Sequence, residues 1–233
     1  VGGPRGRRRS AQLEPRMQKL VRGIVDFRDR VRPGVRDTFA RLALGQSPDC
    51  FFVACSDSRV VPNLFASTDP GDLFVLRNVG NLVPPPDVEG DRSAAAAVEF
   101  ATRGLGVRDV VICGHSSCGA MRAIWDGRVP EGTPHLEGWL GHGRPALARL
   151  HANPDFAPDL PAEDRLSQVS VLQQIEHLRS YPLVRQRVAT GGMRLHAWWF
   201  DIADAEVLAW DVQRGAFVPL VGMDDPPGVG IVP

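Results

Sequence analysis

The sequence predicts an α/β protein: a mostly parallel central sheet flanked by helices, with an N-terminal helical arm and a C-terminal hairpin with helices. Three observations predict it. The runs Cys50 to Cys55 and Val110 to Cys113 are apolar throughout rather than alternating, as strands covered on both faces of a parallel sheet are. An Ala-rich stretch, Ser93 to Leu105, reads as a helix delivering the chain into the second run. From Cys50 to Trp125 the signals follow the order strand, loop, strand, helix, strand, helix, which suits right-handed parallel crossovers.

In chain order, Gln12 to Arg30 carries Leu13, Met17, Leu20, Val21, Ile24, Val25 and Phe27 at mostly helical spacing, and Pro33-Gly34 is expected to stop it. The spacing leaves two uses open for its apolar face: packing on its own domain, or lying over a partner subunit. A short helix over Val35 to Leu44 should end at Gly45. After the Cys50 strand come a helical turn at Pro62 to Ala66, a turn at Asp69-Pro70-Gly71-Asp72 and a strand over Leu73 to Arg77. Pro84-Pro85-Pro86 ends regular structure there. The next helix has Asp91 or Ser93 as its cap and Gly104 or Gly106 as its stop. Pro134 to Leu150 and Leu160 to Ser180 read as helices, and a short helix to about Val188 follows Tyr181-Pro182. Met193 to Phe200 and Glu206 to Asp211 read as a hairpin closing the sheet edge. The sequence thus divides into a tail and helical arm over 1–34, an α/β domain over 35–223, and a Pro- and Gly-rich tail over 224–233.

Composition narrows the function classes. At 233 residues and 43% hydrophobic content the chain can bury a sizeable core. Lys+Arg and Asp+Glu both number 27, so no global field favours nucleic acid or an anionic membrane. Its longest apolar runs fall far short of the roughly 20 residues that span a bilayer. Arg7-Arg8-Arg9 is not followed by an apolar stretch, so a basic arm is expected there rather than an export signal. Four cysteines are too few for a disulfide scaffold in a chain of this length, which points to reduced thiols and the cytoplasm.

The cysteines repeat a spacing. Cys50 precedes Cys55 by five and Cys113 precedes Cys118 by five. The first of each pair sits in or beside an apolar strand and reads as an inert core thiol; the second sits at a strand end, where sites are built. In Gly114-His115-Ser116-Ser117-Cys118-Gly119 an imidazole and a thiol three residues apart can meet one borderline-soft ion, with Cys55 as third ligand. Two thiolates and one imidazole leave one tetrahedral position of a zinc ion for water, the pattern of a catalytic site. Asp57 could accept a hydrogen bond from that water or, as a rival ligand, close the site. Arg59 could hold both oxygens of Asp57 and keep it away from the metal. Taken alone, the two also read as an ordinary surface ion pair.

Other cysteine chemistries do not fit. A phosphatase loop needs five residues between Cys and Arg, whereas Cys55 and Arg59, like Cys118 and Arg122, have three between them. Gly104-Leu105-Gly106 lacks the third glycine of a dinucleotide fingerprint. His135, His142, His151, His177 and His196 have no cysteine at ligand spacing and read as structural or solvated.

Three motifs in order, Cys55-Ser56-Asp57-Ser58-Arg59-Val60, Arg77-Asn78-Val79-Gly80-Asn81 and Gly114-His115-Ser116-Ser117-Cys118-Gly119-Ala120, closely resemble the β-class carbonic anhydrases. The similarity runs from about Gln12 to Trp210. It implies zinc, one per chain, bound by Cys55, His115 and Cys118, with an Asp57–Arg59 dyad. The implied activity is reversible hydration of carbon dioxide to bicarbonate and a proton by a zinc-bound hydroxide. The family's fold is a largely parallel sheet flanked by helices, and its arm wraps a partner in a homodimer or a multiple of dimers. Gln46 and Phe100 occupy the places of a glutamine and an aromatic that complete the substrate pocket across the dimer interface, with Val79 and Gly80 also lining it. A zinc-stabilised module without activity would be expected to have lost Asp57, Arg59 or a ligand, and none is lost. A relative that hydrolyses carbon disulfide or carbonyl sulfide shares these motifs and differs only by substrate assay. Some members also carry a second, non-catalytic bicarbonate site built from a Trp, the Arg of the second motif and a Tyr. The matching positions here are Phe52, Arg77 and Phe100, so the resemblance implies that this switch is absent.

Overall fold

In the computed structural model, which describes residues 15–88 and 92–220, the chain separates into two compact units, Val1–Gln46 and Ser47–Pro233. Leu13, the candidate cap Asp91 and the tail over 224–233 lie outside the described residues.

The first unit is helical: α1 (Pro15–Asp26), a π-helical turn (Phe27–Val31) and α2 (Arg32–Leu42). Pro33-Gly34 does not stop the helix as its composition suggests. The wide turn before it ends with Arg32 N–H donating to Phe27 O, and Pro33 then falls in the first turn of α2, where a missing N–H costs no helical bond. Leu20, Ile24 and Phe27 are exposed in the described chain, at 62%, 69% and 45%.

The second unit begins with β1 (Cys50–Cys55), α3 (Pro62–Phe65), β2 (Leu73–Asn78) and α4 (Ser93–Glu99), which runs on as a π-helical turn (Phe100–Gly104) into β3 (Asp109–His115). There follow α5 (Gly119–Asp126), α6 (Pro134–Leu140), α7 (Arg144–Ala152), α8 (Ala162–Ser180), α9 (Pro182–Ala189), β4 (Arg194–Asp201), β5 (Glu206–Asp211) and β6 (Ala216–Pro219). The six strands lie in the order β2-β1-β3-β4-β5-β6. Pairings from β2 to β4 are parallel and those from β4 to β6 antiparallel.

Two further expectations need correction. The helix over Pro134 to Leu150 is broken by a 3-10 turn at Gly141–Gly143. Pro145 just beyond the turn cannot donate, and a Cβ on Gly143 would stand 2.5 Å from Ile124 Cδ1, so the turn presses onto α5 at a glycine. The sheet edge is not β5 but the four-residue β6, entered by a turn with Gly215 at φ +62°. No element is expected from the sequence over these residues; β6 ends at Pro219, and proline is tolerated on an edge strand.

The sheet is covered on both faces, as its continuous apolar strands predict. Phe51, Val53, Val110 and Ile112 join Val171, Ile175 and Leu178 of α8 on one face. Phe52, Ala54, Val111 and Cys113 pack with Phe200 on the other. α8 comes so close to β3 that a Cβ on Gly114 would lie 2.7 Å from Val171 Cγ2. That closeness decides how the next loop is held.

Candidate metal centre

Cys55 ends β1 and His115 ends β3; the parallel register Ala54↔Cys113 sets them side by side at the carboxyl ends of the strands, where open α/β sheets build sites. Between His115 and Cys118 the chain reverses through Ser117 at φ +54°, and Cys118 caps α5 in an extended conformation. The Sγ atoms of Cys55 and Cys118 and a ring nitrogen of His115 all lie within 4.8 Å of one another, and the three residues are buried. His115 Nδ1 donates to Ser116 O at 2.9 Å, which leaves the Nε2 lone pair free for a ligand bond. Nε2 is buried without a hydrogen-bond partner. An orphaned imidazole nitrogen facing two thiols is a donor set that fits zinc.

The thiols are already unequal. Cys118 donates to Cys55, which, with the N–H groups of Gly80 and Asp57, holds the Cys55 thiol below its ordinary value against the effect of burial. Cys118, sharing its proton with Cys55 and buried, is held up. A metal ion would replace that shared proton. The other two cysteines behave as core thiols: burial pushes Cys50 up to about 12 and Cys113 up as well.

Asp57 and Arg59 form a fork-to-fork pair. Arg59 Nε donates to Asp57 Oδ1 at 2.9 Å and Nη2 to Oδ2 at 2.8 Å, with the Arg59 backbone N–H on Oδ1 at 3.0 Å. These bonds hold the Asp57 carboxyl well below the usual carboxylate range. Arg59 Nη2 also donates to Ser117 O at 3.0 Å, tying the dyad to the metal loop.

Several residues that position the site were not singled out for that task by sequence reasoning. Arg77 donates to Cys55 O at 2.9 Å and Asp57 O at 2.7 Å, pinning the loop that leaves β1. Asn78 exchanges two 2.8 Å bonds with the Leu82 backbone and closes the turn carrying Val79 and Gly80. Gly80 sits at φ +85°, and a Cβ there would meet Ala120 Cβ at 3.0 Å, so glycine lets its N–H reach Cys55 Sγ at 3.4 Å. Ser167 of α8 donates to His115 O at 2.9 Å while accepting from Trp199 Nε1 at 3.1 Å. Asp164, one helical turn earlier, accepts from Ser117 N–H at 2.6 Å. No trace of this is legible in the sequence, because α8 carries many other polar residues, among them Gln168, Ser170, Gln174 and His177, which are buried as well.

The four pocket candidates are placed differently. Val79 and Gly80 adjoin Cys55, and Val79 is 40% exposed, with its carbonyl accepting from Trp139 Nε1 at 2.7 Å. Phe100 is not brought to the triad of its own chain: its ring packs 5.6 Å from that of Phe74, which pairs with Phe51 near the start of β1. Gln46 is exposed at the end of the first unit.

Fold and donor set together define an α/β protein with a candidate Cys–His–Cys metal centre at the carboxyl ends of parallel strands. The carbonic anhydrase family model matches residues 50–207. A carbonic anhydrase of Pseudomonas aeruginosa is 38% identical over 216 residues, 92% of this chain and 96% of that protein. Among solved structures, the β-carbonic anhydrase CcaA superposes with a TM-score of 0.82 at 35% identity, over 90% of this chain and 94% of that one. A second, from a study of two tetrameric β-carbonic anhydrases of Sordaria macrospora, gives a TM-score of 0.73 at 26% identity, over 84% of this chain and 97% of that one. The chain belongs to the β-class carbonic anhydrases.

Proposed function

We propose that this protein catalyses the reversible hydration of carbon dioxide to bicarbonate and a proton, using one zinc ion held by Cys55 Sγ, His115 Nε2 and Cys118 Sγ. The observation that carries the reading is the buried convergence of these three donors, with His115 Nε2 unpartnered, beside a carboxylate turned onto its own arginine. Bound there, zinc supplies Lewis acidity that makes water a nucleophile near neutral pH.

The residues divide the remaining work. The Gly80 N–H donates to the Cys55 sulfur and supports its anionic form. Asp57, kept charged by Arg59, accepts a hydrogen bond from the attacking water and fixes its orientation. Carbon dioxide is apolar and needs no charged anchor, so Val79 and Gly80 offer it a wall. Gln46 and Phe100 come from the partner chain, Gln46 donating one hydrogen bond to a substrate oxygen. The proton leaves to solvent buffer.

The exposed apolar side chains of α1 support an assembly in which a second copy covers them, as a dimer or a multiple of dimers. The Sordaria structures, described as tetrameric, are consistent with this. A thiolate-based site suits a reducing compartment, and we place the protein in the cytoplasm. No helix among the described residues is long and apolar enough to cross a membrane.

The test is a stopped-flow pH-indicator assay on protein of measured zinc content. Hydration should scale with zinc and vanish in Cys55→Ser and His115→Ala; fully zinc-loaded protein without hydration would overturn the reading.

A further inference from the structure

The turn between His115 and Cys118 depends on a serine in an unfavourable conformation. Ser117 lies at φ +54°, where a side chain crowds the backbone and glycine is favoured. Its peptide groups are held from two sides. The N–H donates to Asp164 Oδ1 on α8 at 2.6 Å, and the C=O accepts from Arg59 Nη2 at 3.0 Å. That same nitrogen donates to Asp57 Oδ2 at 2.8 Å. The N–H and C=O of one residue belong to two peptide planes whose relative orientation is set by its φ and ψ. If Ser117 relaxed to an ordinary conformation, one plane would rotate against the other, and both bonds could not persist.

We infer that Asp164 is a positioning residue that keeps Ser117 left-handed, so that Ser117 O anchors Arg59 and Arg59 in turn holds Asp57 away from the metal. The inference rests on the zinc reading above. Asp164 is buried, whereas its neighbour Glu163 pairs with Arg122 of α5, so the two acids at the start of α8 have separate tasks. Burial, and more weakly Glu163 and Asp201, oppose the charge on Asp164, while the Ser117 N–H supports it. An acid at this position is therefore not explained by its surroundings alone; its bond to Ser117 supplies the reason.

The test uses cobalt-reconstituted full-length protein, with azide as the probe for an open coordination position and visible absorption as the readout. Asp164→Ala should weaken azide binding at least tenfold, because a freed Asp57 competes for that position. Asp164→Asn should stay within threefold, since its side-chain oxygen accepts the same bond. Adding Ser117→Gly to Asp164→Ala should recover most of the loss, because glycine adopts the left-handed conformation without steric cost. A purely structural Asp164 would lower the melting temperature, and Ser117→Gly would not restore azide binding. Unchanged azide affinity in Asp164→Ala, or a loss that Ser117→Gly leaves intact, overturns the inference. A tenfold loss in Asp164→Asn overturns it independently, should Asp164→Ala fail to fold. If wild-type protein takes up cobalt but gives no azide response, the functional reading falls too; if wild type responds and Asp164→Ala responds equally, only this inference falls.

Discussion

Replacing Arg59 with alanine isolates the part of the site that decides whether the metal stays accessible. Two side-chain bonds to Asp57 are lost, at 2.9 and 2.8 Å, while the backbone bond at 3.0 Å remains. Hydrogen bonds to charged groups contribute about 1.5–3 kcal/mol each when shielded. The Arg59 side chain is 47% exposed, so solvent screening brings the fork as a whole to about 2 kcal/mol. At about 1.4 kcal/mol per tenfold, Asp57 becomes roughly 30-fold freer to leave its position and reach the metal. Hydration per bound zinc, followed by stopped flow near neutral pH, should fall by about that factor. Arg59→Lys, which keeps the charge but cannot fork, should fall in between. Melting temperature should fall by no more than about 4–8 °C, the equivalent of that roughly 2 kcal/mol in a chain of this size. Turnover within threefold of wild type in zinc-loaded Arg59→Ala would refute the role given to the fork.

Elemental analysis of freshly purified protein should find about one zinc per chain and almost none in Cys55→Ser or His115→Ala; metal unchanged in both would falsify the site. Leu20→Asp with Ile24→Asp should convert the assembly to monomers by light scattering, because both side chains are largely exposed in the described chain; a stable wild-type monomer at micromolar concentration would contradict this. Bicarbonate inhibition should be hyperbolic rather than cooperative: Phe52 is buried against Phe65 and Trp198, and Arg77 already donates to Cys55 O and Asp57 O. Cooperative inhibition would show that the phenylalanines do not decide the matter. His177 is buried, which lowers its pKa from 6.5, with the bond to Val83 O acting against this and His142 with it. The unfolded chain then binds the proton more readily, so stability is full above about pH 6.5 and falls below it. The drop in melting temperature from pH 7 to 5 should be smaller in His177→Asn, and an equal drop would count against the assignment.

Most of the sheet was legible because its strands announce themselves. Phe51 to Ala54 and Val110 to Cys113 have no polar face, and the observed β1 and β3 are covered on both sides. The three metal-ligating candidates were legible for a different reason: thiol and imidazole at strand ends have few other uses. What stayed hidden involves competition between local signals and packing. Pro33-Gly34 looks like a stop, but a wide turn before it shifts the proline into a first helical turn. Residues 216–219 are assigned no element from the sequence, and become an edge strand because β5 offers an unpaired ladder.

The sequence by itself determined the fold class, the strands that carry the site, and the candidate metal ligands and their order, because burial patterns and donor chemistry are properties of short stretches. Only the tertiary structure decided how the site is held. Asp164 and Ser167 lie 47 and 52 residues from the backbone groups of Ser117 and His115 that they bind, and Arg77 reaches Cys55 and Asp57 from 22 and 20 residues away. No local pattern reports such bonds, since they exist only once α8 has packed against β3 at Gly114 and β2 has paired with β1.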